Sequence, residues 1–477
     1  MSNNHNYISP LSTRYASKEM QYLFSEEKRI IIHRELWTAL AESEMELGLN
    51  ITKEQVSQLR ENINNLNLDV AHAKEKETRH DIMAHIYAYG LQAPAAAPII
   101  HLGATSCFVG DNTDLIVSYE ALDIIKTKLL QVMKNLADFA DKYKSVPALG
   151  FTHFQPAQLV TVGKRATLWL AGFLDDYQDL IDIQNGYRLR GVKGTTGTQA
   201  SFLELFDGDS DKVFALEEKV VEKMGYSKVF PVTGQTYSRK FDYKLLALLS
   251  GVAQSAYKFS NDIRILQGLK EMEEPFEKTQ VGSSAMAYKR NPMRSERISA
   301  LARFVITLPM NASITASTQW FERTLDDSAN KRLSVTEAFL ATDAVLNLMI
   351  NVTESMVVYE KVVAKRLSEE LPFMATEVII MECVKAGLSR QDTHEQIRVH
   401  SMESTKRVKM EGMPNDLIER IKADDFFAPI HPILDGILKA ENFIGLCPKQ
   451  VERFLKTDVL PILNKNKNVN VQTSIEV

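Results

Sequence analysis

Residues 280–296 read Gln-Val-Gly-Ser-Ser-Ala-Met-Ala-Tyr-Lys-Arg-Asn-Pro-Met-Arg-Ser-Glu and hold the densest set of chemically useful side chains in the chain. Gly282, Ser283, Ser284 and Ala285 are small, which suits a loop that closes over a ligand. Lys289, Arg290, Arg294 and Arg297 follow closely, and a helix after Pro292 would offer its N-terminus to an anion. A Gly/Ser linker before a solvated basic helix fits the same composition. Two histidine sites compete with this loop. His153 stands in Phe-Thr-His-Phe-Gln-Pro (151–156), a tight segment before a long helix, and Arg79, His80 and Asp81 cluster at a predicted helix start. Either histidine, taken alone, also suits a hydrogen-bonded structural role.

Further polar groups recur at segment boundaries. Thr105 and Ser106, with Asp111 to follow, supply hydroxyls and an N-cap at the start of a long helix. Gln235 supplies an amide in a polar loop, and Arg323 and Arg332 place guanidinium groups on either side of Ser328. Together these are the groups that hold a dianionic or phosphorylated substrate: bidentate arginines, hydroxyls and helix ends. Gly191, Gly194 and Gly197 recur every three residues, yet no GxxxxGK[ST] follows and no strand precedes them. A glycine-permitted turn between helices is expected there, with a ligand-facing turn still open. Asp81 and His85, one turn apart, are a weak metal pair without HExxH or zinc spacing. Neither a metal nor an organic cofactor is expected.

The elements that must position these groups are long helices. Leu115, Leu122, Leu129 and Leu136 recur every seven residues, with Ser118, Ile125, Val132 and Phe139 at the offset positions. That stripe predicts a helix over 111–144, roughly 45 Å long at 1.5 Å per residue. Stretches 158–187, 241–272, 295–318 and 334–358 also read as helices, while 93–110, 145–156, 191–208, 231–237 and 274–291 read as irregular. The fold class is all-α. Three helical domains are expected: 1–105, an elongated bundle of long helices over 106–358 that packs with other subunits, and 359–464, whose last helix starts at Pro448. The Asn- and Lys-rich tail 465–477 is expected to be disordered.

Composition excludes several classes. A formal net charge of -5 in 477 residues argues against a general nucleic-acid or membrane-surface binder. Any anionic ligand must be held by local clusters of cations. Cys107, Cys383 and Cys447 are odd in number and far apart, as expected of thiols in a reducing compartment. The polar stretch 1–10 lacks the apolar centre of a signal peptide. No run reads as long enough to span a bilayer, so a cytoplasmic location is expected.

Residues 282–291, Gly-Ser-Ser-Ala-Met-Ala-Tyr-Lys-Arg-Asn, resemble the signature loop GSSxMPxKxN of the fumarase/aspartase superfamily, with Ala287 where that family usually has proline. Within the superfamily the motifs around Arg14 and Tyr15, Arg79 to Asp81, Thr105 and Ser106, His153, Gln235, Lys289 to Arg297, and Arg323 to Ser328 are most similar to the adenylosuccinate lyase family, in order from residue 9 to 332. The resemblance implies a β-elimination that releases fumarate, from adenylosuccinate to give AMP and from SAICAR to give AICAR. It implies that Ser283 is the general base and His153 the general acid, with His80 supporting the acid through the substrate. It further implies that Arg14, Tyr15, Arg79, His80, Asp81, Thr105, Ser106, Gln235, Arg297, Arg323, Ser328 and Arg332 bind the nucleotide and succinyl parts, and that Lys289 and Asn291 hold a carboxylate. A homotetramer with sites shared between subunits is implied as well. The replacement of proline by Ala287 removes a φ restraint from the loop and leaves the base and the acid in place. The rivals are another fumarate-releasing lyase, such as argininosuccinate lyase, and a non-catalytic helical protein. Arg14, Arg323 and Arg332, which a phosphate would need, favour the nucleotide, and the presence of Ser283, His153 and Lys289 disfavours the non-catalytic reading.

Overall fold

A heptad stripe sustained over four repeats must be buried along its whole length, and it is. A computed structural model describes residues 6–277, 285–467 and 471. The helices that build the bundle and its surroundings are α1 (Glu26–Glu46), α2 (Asp81–Gln92), α3 (Ser106–Lys142), α4 (Val162–Asn185), α5 (Lys240–Gly268), α6 (Met293–Thr307), α7 (Pro309–Ser317), α8 (Asp326–Glu354) and α9 (Glu360–Met374). Leu115, Leu122, Leu129 and Leu136 of α3, with their four offset partners, are all buried. They pack against α4 and α8 of the same chain. Each such leucine contributes roughly 1.5–3 kcal/mol relative to exposure.

The helical and all-α expectation holds, with corrections at several boundaries. α3 begins at Ser106, five residues before the expected start at 111, so Asp111 lies inside the helix and not at its cap. The stretch expected as one helix over 295–318 is two, because Pro309 has no N–H to continue the ladder of α6. Residues 145–156 are not irregular, and the next helix does not begin at 158. Strands β1 (Pro147–Thr152) and β2 (Gln155–Thr161) form an antiparallel hairpin between α3 and α4. Its pattern was hidden by Gly150, Pro156 and a register shift between Leu149 and Phe151. A Cβ at Gly150 would stand 2.4 Å from the Gln158 carbonyl oxygen, so the close approach of the strands requires glycine.

One hydrophobic cluster runs from Leu11 through all the bundle helices to Val459. A second joins Ala375, Ile379, Cys383, Ile397, Leu417 and Phe427, and a third ties Leu149 and Leu159 of the hairpin to Leu367 and Leu371 of α9. Contrary to the sequence expectation, two helical stretches have the length and apolarity to cross a membrane. Residues 326–354 are mostly buried in the bundle, whereas 293–317, bent at Pro309, are only 33% buried. Phe304, Met310 and Ile314 stand exposed on that second stretch.

Candidate active site

The N-termini of α2, α3, α5 and α8 converge on one end of the bundle, around a cavity of about 920 Å³. Helix N-termini carry partial positive charge, so four directed at one space favour an anion there. Arg79, His80, Asp81, Thr105, Ser106, Gln235, Arg323, Ser328 and Arg332 all line it. Sequence positions 250 residues apart thus meet in one place.

Local structure explains each position. The helix Leu68–Thr78 ends on Arg79 in the left-handed region (φ 58), and His80 turns extended to cap α2. The Met83 N–H donates to His80 Nδ1 at 3.3 Å, which leaves Nε2 as the nitrogen available to a ligand. Gln235 lies on a loop whose backbone N–H donates to the Glu322 carbonyl at 3.0 Å. Gly197 (φ +82) backs this loop: a Cβ there would sit 1.9 Å from the Thr233 carbonyl oxygen. The glycine turn at 191–198 therefore supports the cavity loop from behind and is not part of the lining.

Within the lining itself runs an ion network that the sequence did not disclose. Arg29 Nη1 donates to Asp114 at 2.6 Å, and Lys331 Nζ stands 2.5 Å from the other oxygen of the same carboxylate. Burial pushes the Asp114 carboxyl up, but Lys331 and Arg29 outweigh it and hold the group well below the usual carboxylate range. Arg239 bonds Asp111 and Asp327. These cations are neutralised by their partners. Among the described residues Arg79 and Arg332 carry no ion pair, and so keep their charge for a ligand. His33 and His85 also line the cavity, and burial lowers both of their pKa values, so they enter it as neutral imidazoles. His33 and Arg29 sit on α1 among ordinary helical residues, where nothing in the sequence marked them.

Other expected site residues lie elsewhere. Lys289 and Asn291 follow the C-terminal end of α5, where Gln267 Nε2 donates to the Arg290 carbonyl at 3.0 Å. The N-terminal end of α5 is at the cavity, about 42 Å away along a 29-residue helix. The Arg297 guanidinium lies 5.6 Å over the Tyr15 ring, and Arg14 is exposed beside them. These residues form a group of their own, outside the cavity lining. The N-terminus of α6 is not open to an anion, as the sequence suggested. The buried Glu274 carboxylate already accepts from Arg294 N–H at 3.0 Å and Ser295 N–H at 2.9 Å. His153 is exposed at the tip of the hairpin, where it and Phe154 (φ 52 and 56) form a two-residue turn with both residues left-handed. Ser283 lies outside the described residues.

A family model described as a lyase matches residues 14–307 of this helical chain. A fumarate lyase from Mesorhizobium sp. BNC1 shares the fold, with a TM-score of 0.79, 21% identity, and coverage of 93% of this chain and 99% of that one. So does the 3-carboxy-cis,cis-muconate lactonizing enzyme of Pseudomonas putida, at 0.80 and 21%, over 94% and 98%. A second model, for the adenylosuccinate lyase C-terminus, matches residues 372–454. The adenylosuccinate lyase of Saccharomyces cerevisiae is 55% identical over 95% of each chain. That of Schizosaccharomyces pombe is 52% identical over 99% of this chain and 98% of its own. The chain belongs to the adenylosuccinate lyase family of carbon–nitrogen lyases.

Proposed function

We propose that the protein splits adenylosuccinate into AMP and fumarate, and SAICAR into AICAR and fumarate, in purine nucleotide biosynthesis. Ser283, as an alkoxide, takes the Cβ proton of the succinyl group. Cations hold the aci-carboxylate that develops, the C–N bond breaks, and His153 gives its proton to the departing nitrogen. A closed, water-poor pocket and neighbouring positive charge make a serine basic enough for this step. Arg14, Tyr15, Arg79, Asp81, Thr105, Ser106, Gln235, Arg297, Arg323, Ser328 and Arg332 bind the nucleotide and succinyl parts, with Arg14, Arg323 and Arg332 suited to the phosphate. His80 contacts the substrate, and Lys289 and Asn291 hold a carboxylate. No cofactor takes part.

The observation that carries this reading is the cavity lined by Arg79, Arg323 and Arg332 at the meeting of helix N-termini. The same geometry supports a homotetramer with shared sites. The acid on its hairpin and the residues after the signature loop sit at the end of the bundle remote from the cavity. A second and a third chain, packed antiparallel, bring them to it. Exposed Phe304, Met310 and Ile314 supply an apolar face for such packing. A cytoplasmic location accords with the free thiols Cys107, Cys383 and Cys447.

The test is direct. Purified protein with adenylosuccinate should show the absorbance change of AMP formation, and argininosuccinate should give no fumarate. Absence of turnover at high protein concentration ends the proposal.

A further inference from the structure

Arg239 has no part in the chemistry above, yet it touches three of the elements that wall the cavity. It is the residue immediately before α5, and its side chain is buried. Nε donates to Asp327 Oδ2 on α8 at 2.6 Å. Nη2 and Nη1 donate to the two oxygens of Asp111 on α3, at 3.0 and 3.3 Å. The Tyr237 ring lies beneath the guanidinium at 4.5 Å, and the Tyr237 N–H donates to the same Asp111 oxygen at 2.9 Å. Asp327 faces Arg323 as well, with Nη2 at 3.7 Å.

Two carboxylates cancel the charge of Arg239, so it offers little attraction to an anionic ligand. Buried ion pairs of this kind seldom add net stability over apolar packing. What the guanidinium supplies is shape, because only a planar fork reaches two carboxylates on different helices at once.

We propose that Arg239 is a positioning residue for substrate binding, fixing the spacing between the α3 wall with Thr105 and Ser106, the loop with Gln235, and the α8 wall with Arg323 and Ser328. The proposal rests on the cavity being the nucleotide site. The base and the acid come from other chains, so a shift of these walls weakens binding of the nucleotide more than it slows the chemical step.

The experiment compares wild type, Arg239→Lys and Asp327→Asn in the intact oligomer. KM and kcat for adenylosuccinate, AMP affinity by calorimetry, melting temperature and oligomeric state are measured together. Arg239→Lys keeps the charge but loses the fork. It should raise KM about tenfold or more, weaken AMP in parallel, and leave kcat within about threefold. Asp327→Asn cuts only the α8 arm and should move KM in the same direction, which keeps the test open if Arg239→Lys folds poorly. A KM within twofold of wild type in the folded variants overturns the proposal. So does a fall in kcat at constant KM that follows the loss of folded oligomer, the mark of a purely structural ion pair. Wild-type turnover decides the functional reading on its own, and AMP binding reads the role of Arg239 without it.

Discussion

His80 and His153 stand at opposite ends of the bundle. His80 caps α2 at the cavity where α3 begins, and His153 tips the hairpin that follows the end of α3, about 54 Å away along a 37-residue helix. A hairpin arm of six residues spans about 20 Å and cannot close that gap within one chain. The proposed roles of His80 and His153 at one succinyl group therefore require that the two imidazoles come from different chains.

Mixing inactive variants tests this separation. His153→Ala and Arg323→Ala chains, each without activity, should regain about a quarter of wild-type turnover when unfolded and refolded together at equal ratio, because random assembly gives that share of sites an intact cavity and an intact acid. No recovery in properly assembled hybrids would show that one chain supplies both groups.

Removing the proposed base or the proposed acid should stop chemistry and spare binding. Ser283→Ala and His153→Ala should each lower kcat by about a thousandfold or more while AMP affinity stays within a few fold. Near-normal kcat in either variant, measured in a steady-state assay, means that the roles are misassigned.

The turn that carries His153 is strained. His153 and Phe154 both occupy left-handed backbone that favours Asn-Gly, and the Phe154 side chain is 61% exposed. Phe154→Gly should relieve about 1 kcal/mol of that strain and hold or raise the melting temperature. The same change frees the imidazole, so kcat should drop about tenfold. Calorimetry and kinetics on one preparation read both effects; a lower melting temperature contradicts the strain argument.

Glu44 sets a pH dependence of stability. Burial alone pushes its carboxyl from 4.5 up to about 9, and neither oxygen has a hydrogen-bond partner among the described residues. The folded state therefore favours the protonated form. Its contribution is complete below about pH 4.5 and is lost as pH rises toward 9, by about 1.4 kcal/mol per unit. Glu44→Gln should melt close to wild type at pH 5 and several degrees higher at pH 8. Melting curves that shift in parallel at both pH values would rule this out.

The heptad stripe of α3 was legible because burial along a helix leaves a periodic record in the chain. Even so, it is satisfied by α4 and α8 of the same chain. The hairpin was not legible: a glycine, a proline and a register shift break the alternation of its strands, and the turn residues are unusual for their conformation. The pairing of Arg29, Lys331 and Arg239 with their aspartates was not legible for another reason. An ion network pairs groups far apart in sequence, and no local spacing records which cation meets which carboxylate.

By itself the sequence determined the helical class, the motifs and the kinds of group that can hold an anion and move a proton. Those follow from side-chain chemistry and from periods of a few residues. Only the tertiary structure decided which of these groups share a cavity and which stand tens of ångströms off. Long helices are stiff rods, so the end of the bundle from which a residue emerges fixes its distance from every other. Helix length and packing direction set that end, and no motif contains it.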